Sequence, residues 1–212
     1  MKAIVMHQYG GPEQLKYEDT PAPVLKPGEV LVRMAATSIN PVDFKVRTGA
    51  LQKYMPLQLP AILGRDAAGT VQELAPGVSG FKIGDRVMAL TMRAYAELVA
   101  IKAKDLAHIP SGLSTVDAAV LPLVTLTGEQ LVTRGIKPTA GQTVLVAGAI
   151  GGVGRATVYA LKQAGADLFI EVGPGKVLCG LLKQIDPALK SLNVEDAASL
   201  EKTLAELAGS GA

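Results

Sequence analysis

Apolar and polar positions alternate in short runs through the first half of the chain, and glycine and proline cut the runs apart. Residues 2–6, 15–18, 30–34, 70–74, 86–90 and 94–101 each have the length and apolar content of a strand. Gly10-Gly11-Pro12, the loop carrying Pro21, Pro23 and Pro27-Gly28, and Lys82-Ile83-Gly84-Asp85-Arg86 separate them as turns. Strands this short and this punctuated predict a small irregular barrel. A helix is expected after Ser114, with Ser114 as N-cap and Asp117 three residues on. From residue 143 the pattern changes. Residues 144–147 are apolar throughout, as in a strand buried on both faces. Val153, Ala156, Thr157, Ala160, Leu161 and Ala164 then recur at helical spacing, and Gly165 closes that helix. Residues 168–172 and 189–194 read as strands, and 177–185 and 197–207 as helices, the last with Asp196 as its N-cap. Three parallel strands with right-handed crossovers are expected here. Gly209-Ser210-Gly211-Ala212 reads as a frayed end.

Between the run 144–147 and its helix lie Gly148, Gly151, Gly152 and Gly154. A backbone that turns sharply, lets a pyrophosphate approach and packs its helix closely on the strand needs glycine at such positions. The N–H groups of the first helical turn then face the phosphate charge, aided by the helix dipole. Gly148, Gly151, Gly152, Val153 and Gly154 are therefore candidate dinucleotide ligands; the alternative is a structural strand-to-helix turn with no ligand. Glu171, near the end of the strand 168–172, stands where an acid would bond the adenosine ribose and favour NADH. Lys176, after the next turn, is placed to meet a 2′-phosphate and favour NADPH. For both, the alternative is a surface charge at a turn.

Composition narrows the classes. A net charge of +2 over 212 residues gives no footprint for nucleic acid. The single cysteine, Cys179, excludes an internal disulfide and reads as a small buried hydrophobe. The apolar start ends at His7, too soon for a signal peptide, and the longest apolar stretch contains Pro122 and is far shorter than a membrane span. A soluble cytoplasmic protein is expected. His7 and His108 stand alone, so no metal site is expected.

Residues 1–166 resemble the zinc-independent quinone oxidoreductases of the medium-chain dehydrogenase/reductase superfamily. Tyr9-Gly10-Gly11-Pro12-Glu13, Ala36 to Asp43 with Arg47-Thr48-Gly49, Gly64-Arg65-Asp66-Ala67-Ala68-Gly69, Gly84-Asp85-Arg86-Val87, Leu121-Pro122-Leu123 and the glycine turn carry the resemblance. It implies an α/β protein: an N-terminal β-rich GroES-like barrel over 1–123, then a truncated Rossmann-like parallel half-sheet opening at 124–166. It implies hydride transfer from NADPH, or NADH, to a quinone or enone, with the nicotinamide in the cleft between the two domains and a homodimer as a further expectation. Asn40 and Thr127 match positions at the nicotinamide end of the cofactor, and Asp43 matches the acidic partner of Asn40. Tyr54 is a candidate proton donor. Against these stand a loop residue bonding its own backbone, a helix-surface hydroxyl and a half-buried aromatic. Zinc-binding relatives place a cysteine near Asn40 and a histidine near Arg65; neither residue type is present there.

The run from Asp167 to Leu182 is similar instead to the C-terminal segment of malonyl-CoA:acyl-carrier-protein transacylase, so 167–212 is read as a joined βαβα tail. Its chemistry does not come with it: no Gly-x-Ser-x-Gly elbow occurs, and no histidine follows His108. A transacylase remnant and a non-catalytic fusion remain the alternatives to a reductase.

Overall fold

The computed structural model describes residues 1–209; of the expected frayed end, Ser210, Gly211 and Ala212 lie outside the described residues. The chain divides into two compact units, one ending at Leu123 and the other beginning at Val124.

The first unit is antiparallel. Strand β1 (Lys2–Met6) pairs with β2 (Leu15–Asp19) on one side and β4 (Ala61–Ile62) on the other. The larger sheet has five strands. They are β3 (Glu29–Ala36), β5 (Asp66–Leu74), β6 (Arg86–Leu90), β7 (Leu98–Lys102) and β8 (Leu106–His108), in spatial order β7-β3-β5-β6-β8. Alternation drives the pairing. Val30 and Val32 of β3, Val71 of β5, Val87 of β6, and Val99 and Ile101 of β7 point into one buried cluster. Two strand expectations shift. The strand expected at 70–74 begins at Asp66, because Ala67, Ala68 and Gly69 already pair with β6. The one expected at 94–101 is β7, since Ala94 and Tyr95 give their N–H groups to the Gly64 and Leu63 carbonyls.

Two helices interrupt this unit. Helix α1 (Pro41–Arg47) starts at proline, whose fixed φ and missing N–H suit a first turn. Helix α2 (Thr115–Ala118) is capped by Ser114, whose Oγ accepts the Asp117 N–H at 3.0 Å.

Helix α3 (Pro122–Gln130) leads into the second unit and runs on through a wide turn at Leu131–Ile136. Helix α4 (Gly152–Gln163), strand β9 (Leu168–Val172), helix α5 (Val177–Ile185), strand β10 (Lys190–Val194) and helix α6 (Ala197–Gly209) follow in strict alternation. β9 and β10 are parallel, in register from Leu168–Lys190 to Val172–Val194. Asp196 caps α6 by accepting the Ser199 N–H at 2.8 Å. The expected strand at 144–147 does not form, so the parallel sheet has two strands among the described residues, not three. Leu145 is 87% exposed and no ladder reaches it. An apolar run becomes a buried strand only when neighbours cover both its faces and pair both its edges. No helix among the described residues is long and apolar enough to cross a membrane.

Candidate functional site

In the first unit several polar side chains gather around a wholly buried carboxylate. Asp66 opens β5 with 0% exposure. Its Oδ2 accepts from the Asn40 Nδ2–H at 2.8 Å and from the Ser38 hydroxyl, and its Oδ1 accepts the Leu123 N–H at 2.7 Å. Three donors on one carboxylate offset the cost of burying it. Asn40 is the N-cap of α1, and the Asp43 carboxylate reaches back to its N–H at 2.7 Å. Tyr95 lies beside them. Burial, and after it the carboxylates of Asp43 and Asp66, push its phenol well above the usual range, so it stays protonated.

The structure thus brings together the expected pair Asn40 and Asp43, and it gives both a structural job: they cap α1 from each side. Asp66, Ser38 and Tyr95 were not expected here. The signal for Asp66 was an acid between the apolar runs 61–64 and 67–69, where a charge survives only if donors surround it. Tyr54 is 77% exposed, and no hydrogen bond joins it to the cluster. Among the described residues no three His, Cys, Asp or Glu side chains converge as metal ligands.

In the second unit the glycine turn stands at the head of α4. Gly148 has φ +71°, a region that favours glycine. A Cβ on Gly154 would strike the Gly148 carbonyl and sit 2.6 Å from the Ala149 Cα, so the helix lies closer to the turn than any side chain permits. The first N–H of α4 with an acceptor is that of Arg155, which bonds the Gly151 carbonyl at 2.9 Å. The N–H groups of Gly152, Val153 and Gly154 precede it and have no acceptor within the helix. They adjoin an apolar cleft of about 430 Å³ walled by Leu131, Ile136, Leu145, Val146 and Val153. Unpaired N–H groups at a helix start, a turn that only glycine can make and an apolar wall fit a phosphate-linked nucleotide.

The two tail residues separate. Glu171, expected at the ribose, is 9% exposed, and its carboxylate accepts the Leu178 N–H at 3.0 Å and the Cys179 N–H at 2.9 Å. Both oxygens are committed to the first turn of α5, because that turn has donors with no other acceptor. Lys176 is exposed and lies 3.4 Å from Glu195. Cys179 is half-buried and donates to the Leu192 carbonyl at 3.3 Å; burial raises its thiol pKa, which makes it a poor nucleophile. Thr127 is on an exposed face of α3.

Residues 26–111 match the alcohol dehydrogenase GroES-like domain. A solved NAD-dependent alcohol dehydrogenase superposes on 100% of this chain and 69% of its own, with 31% identity and a TM-score of 0.75. The chain belongs to the medium-chain dehydrogenase/reductase superfamily. Within it, a quinone oxidoreductase of Pseudomonas aeruginosa is 36% identical over 79% of this chain and 51% of its own length. The mycobacterial superfamily structure Rv1454c, complexed with NADPH, is 30% identical over 99% of this chain and 64% of its own, with a TM-score of 0.71. The chain spans about half the length of the curated relatives it matches. The structural matches run on through the tail and give no support to a transacylase origin for residues 167–212.

Proposed function

We propose that this chain carries the barrel and the first half of the nucleotide-binding unit of an NADPH-dependent oxidoreductase of quinone reductase type, acting on a quinone or enone. The observation that carries the reading is the glycine turn, with three unpaired N–H groups at the head of α4 beside an apolar cleft. When bound, the nicotinamide supplies the hydride. The chain's own residues bind and orient: the Gly152, Val153 and Gly154 N–H groups hold the pyrophosphate. Asn40, Asp43 and Thr127 are assigned to the nicotinamide end. NADPH is preferred to NADH because Glu171 is buried and occupied as a cap, whereas Lys176, after the β9–α5 turn, is exposed and its 3.4 Å ion pair with Glu195 is of the weak surface kind that a phosphate can replace. No zinc enters the reaction. The relatives named as quinone oxidoreductases and the NADPH complex of a neighbour support the assignment. A cytoplasmic homodimer belongs to the same proposal.

Thermal unfolding with and without nucleotide tests it. NADPH at about a hundred times its dissociation constant adds roughly 2.7 kcal/mol of stability. For a chain of this size that is a rise of roughly 5–10 °C. A larger rise with NADPH than with NADH is expected, and quinone reduction is assayed on the same preparation. A cooperative transition that ignores both nucleotides would sink the proposal and leave a folded, non-catalytic protein.

A further inference from the structure

A second cleft, of about 550 Å³, opens at one end of the first unit. Three loops wall it: residues 26–28 before β3, 77–79 after β5, and 102–104 at the end of β7. Backbone bonds staple the three together. The Gly28 N–H donates to the Pro76 carbonyl at 2.9 Å, and the Ala103 N–H donates to the Gly28 carbonyl at 2.9 Å. The cleft is therefore preformed, as small-molecule sites usually are. Lys26, Lys102 and Lys104 line it, and no carboxylate among the described residues stands within ion-pair distance of any of the three. The one acid in the lining is Glu29. It is the register partner of Lys102 across the β3–β7 ladder, yet its Oε2 accepts the Lys26 backbone N–H at 2.9 Å. Three ammonium groups against one carboxylate leave a surplus of two positive charges, and like charges gathered in one cleft repel each other. Ser79 adds a hydroxyl that can donate.

We propose that this cleft binds the phosphate group of a small molecule. A dianion matches the surplus charge, and ammonium groups on flexible stems serve phosphate as point charges. The cleft is wider than a bare phosphate needs, and Pro27 and Ala103 give an organic remainder an apolar wall. The site is remote from the Asp66 cluster. Strand β3 begins at Glu29 in the cleft and ends at Ala36, two places before Ser38, so its eight residues separate the two by roughly 25 Å of extended chain. Every residue lining the cleft belongs to the first unit, and none belongs to the glycine turn. The site therefore stands or falls independently of the function proposed above.

Titration of the ¹⁵N-labelled full chain at fixed ionic strength tests this, since salt screens exposed charges of every kind. The probes are glucose 6-phosphate, inorganic phosphate and potassium chloride. A phosphate probe shifts the Gly28, Gly77 and Ser79 amide signals and saturates with a dissociation constant of about 1 mM or tighter, and chloride does not. Tighter binding of glucose 6-phosphate assigns the site to a phosphate ester; equal or tighter binding of inorganic phosphate assigns it to the free ion. Replacing Lys26, Lys102 and Lys104 together by glutamine weakens binding by about tenfold or more. Glu29→Gln removes the opposing charge, keeps an acceptor for the Lys26 N–H and tightens binding by about twofold or more. Shifts that chloride reproduces, or a triple variant that binds like the wild type, overturn the proposal. If the triple variant does not fold, Glu29→Gln still decides, and unchanged or weaker binding overturns the proposal. Phosphate that perturbs only Gly152, Val153 and Gly154 also overturns it, and leaves the proposed function standing. Failure of NADPH to bind while Gly28 and Gly77 still answer phosphate supports this site and sinks the proposed function alone.

Discussion

Glu171, at the end of one strand, accepts the Cys179 N–H at 2.9 Å in the first turn of the next helix. A second bond from Leu178 at 3.0 Å makes it the cap of α5. Burial alone would raise the Glu171 pKa, but the Cys179 and Leu178 N–H groups outweigh it and hold the carboxyl below its usual value. A folded pKa below the unfolded one means stability that is fully present above the unfolded value, about 4.3, and is lost as pH falls through the folded value. Glu171→Gln should cost about 1–2 kcal/mol at neutral pH and flatten the acid side of the stability curve. Urea unfolding from neutral pH down to about pH 3 reads both effects. NADPH affinity should stay unchanged; a several-fold loss would restore Glu171 to the ribose.

Gly154→Ala places a methyl group against the Gly148 carbonyl and the Ala149 Cα. Neither is a flexible side chain that can move aside, so the turn must open. The expected cost is about 1–3 kcal/mol of stability. NADPH affinity should fall by about tenfold or more, since the unpaired N–H groups of α4 move with the turn. Nucleotide titration followed by fluorescence checks the second effect, and wild-type affinity in the variant would refute the assignment of the turn.

Tyr54→Phe removes a hydroxyl that is exposed and joined to no other side chain. Stability should change by less than about 0.5 kcal/mol. Quinone reduction, where it is measured, should stay within about twofold. A larger loss of rate at constant nucleotide affinity would make Tyr54 the proton donor that its position in the sequence first suggested.

Leu145→Glu separates two descriptions of the same run. In a strand buried on both faces the substitution would cost several kcal/mol, because it buries an unpaired charge. With Leu145 87% exposed, the change should be within about 0.5 kcal/mol, and solubility should rise. Chemical denaturation of the two proteins side by side decides between them.

That contrast marks how far the sequence could be read. The strands 2–6 and 86–90 follow from local pattern, because their buried apolar positions pack inside the same unit, and the helix 177–185 forms where its spacing put it. The glycine turn was legible for the same reason: its constraint is steric and local. The run 144–147 forms no strand despite its apolar pattern, because burial depends on what covers a segment and periodicity cannot see the cover. The place of Asp66 is not legible locally, because it comes from three donors, Ser38, Asn40 and Leu123, that lie 26 to 57 residues away along the chain. The sequence places Glu171 where a ribose ligand would lie, and it cannot show that the orphan N–H groups of the adjacent helix start bond to its oxygens.

Arg65 carries the last prediction. Its Nε is enclosed by protein and has no hydrogen-bond partner, and no carboxylate among the described residues lies within ion-pair distance of its guanidinium. A buried donor left unpaired costs about 1–3 kcal/mol, whereas an apolar group of the same shape costs nothing of that kind. Methionine matches the length of the arginine stem and fills irregular space well. Arg65→Met should therefore hold or raise stability, by up to about 2 kcal/mol, with a melting temperature up by several degrees. A fall of more than about 1 kcal/mol would show that the guanidinium is bonded in solution and that its charge supports the fold. A gain would show a residue kept at a cost to stability, one place before the carboxylate that holds Asn40.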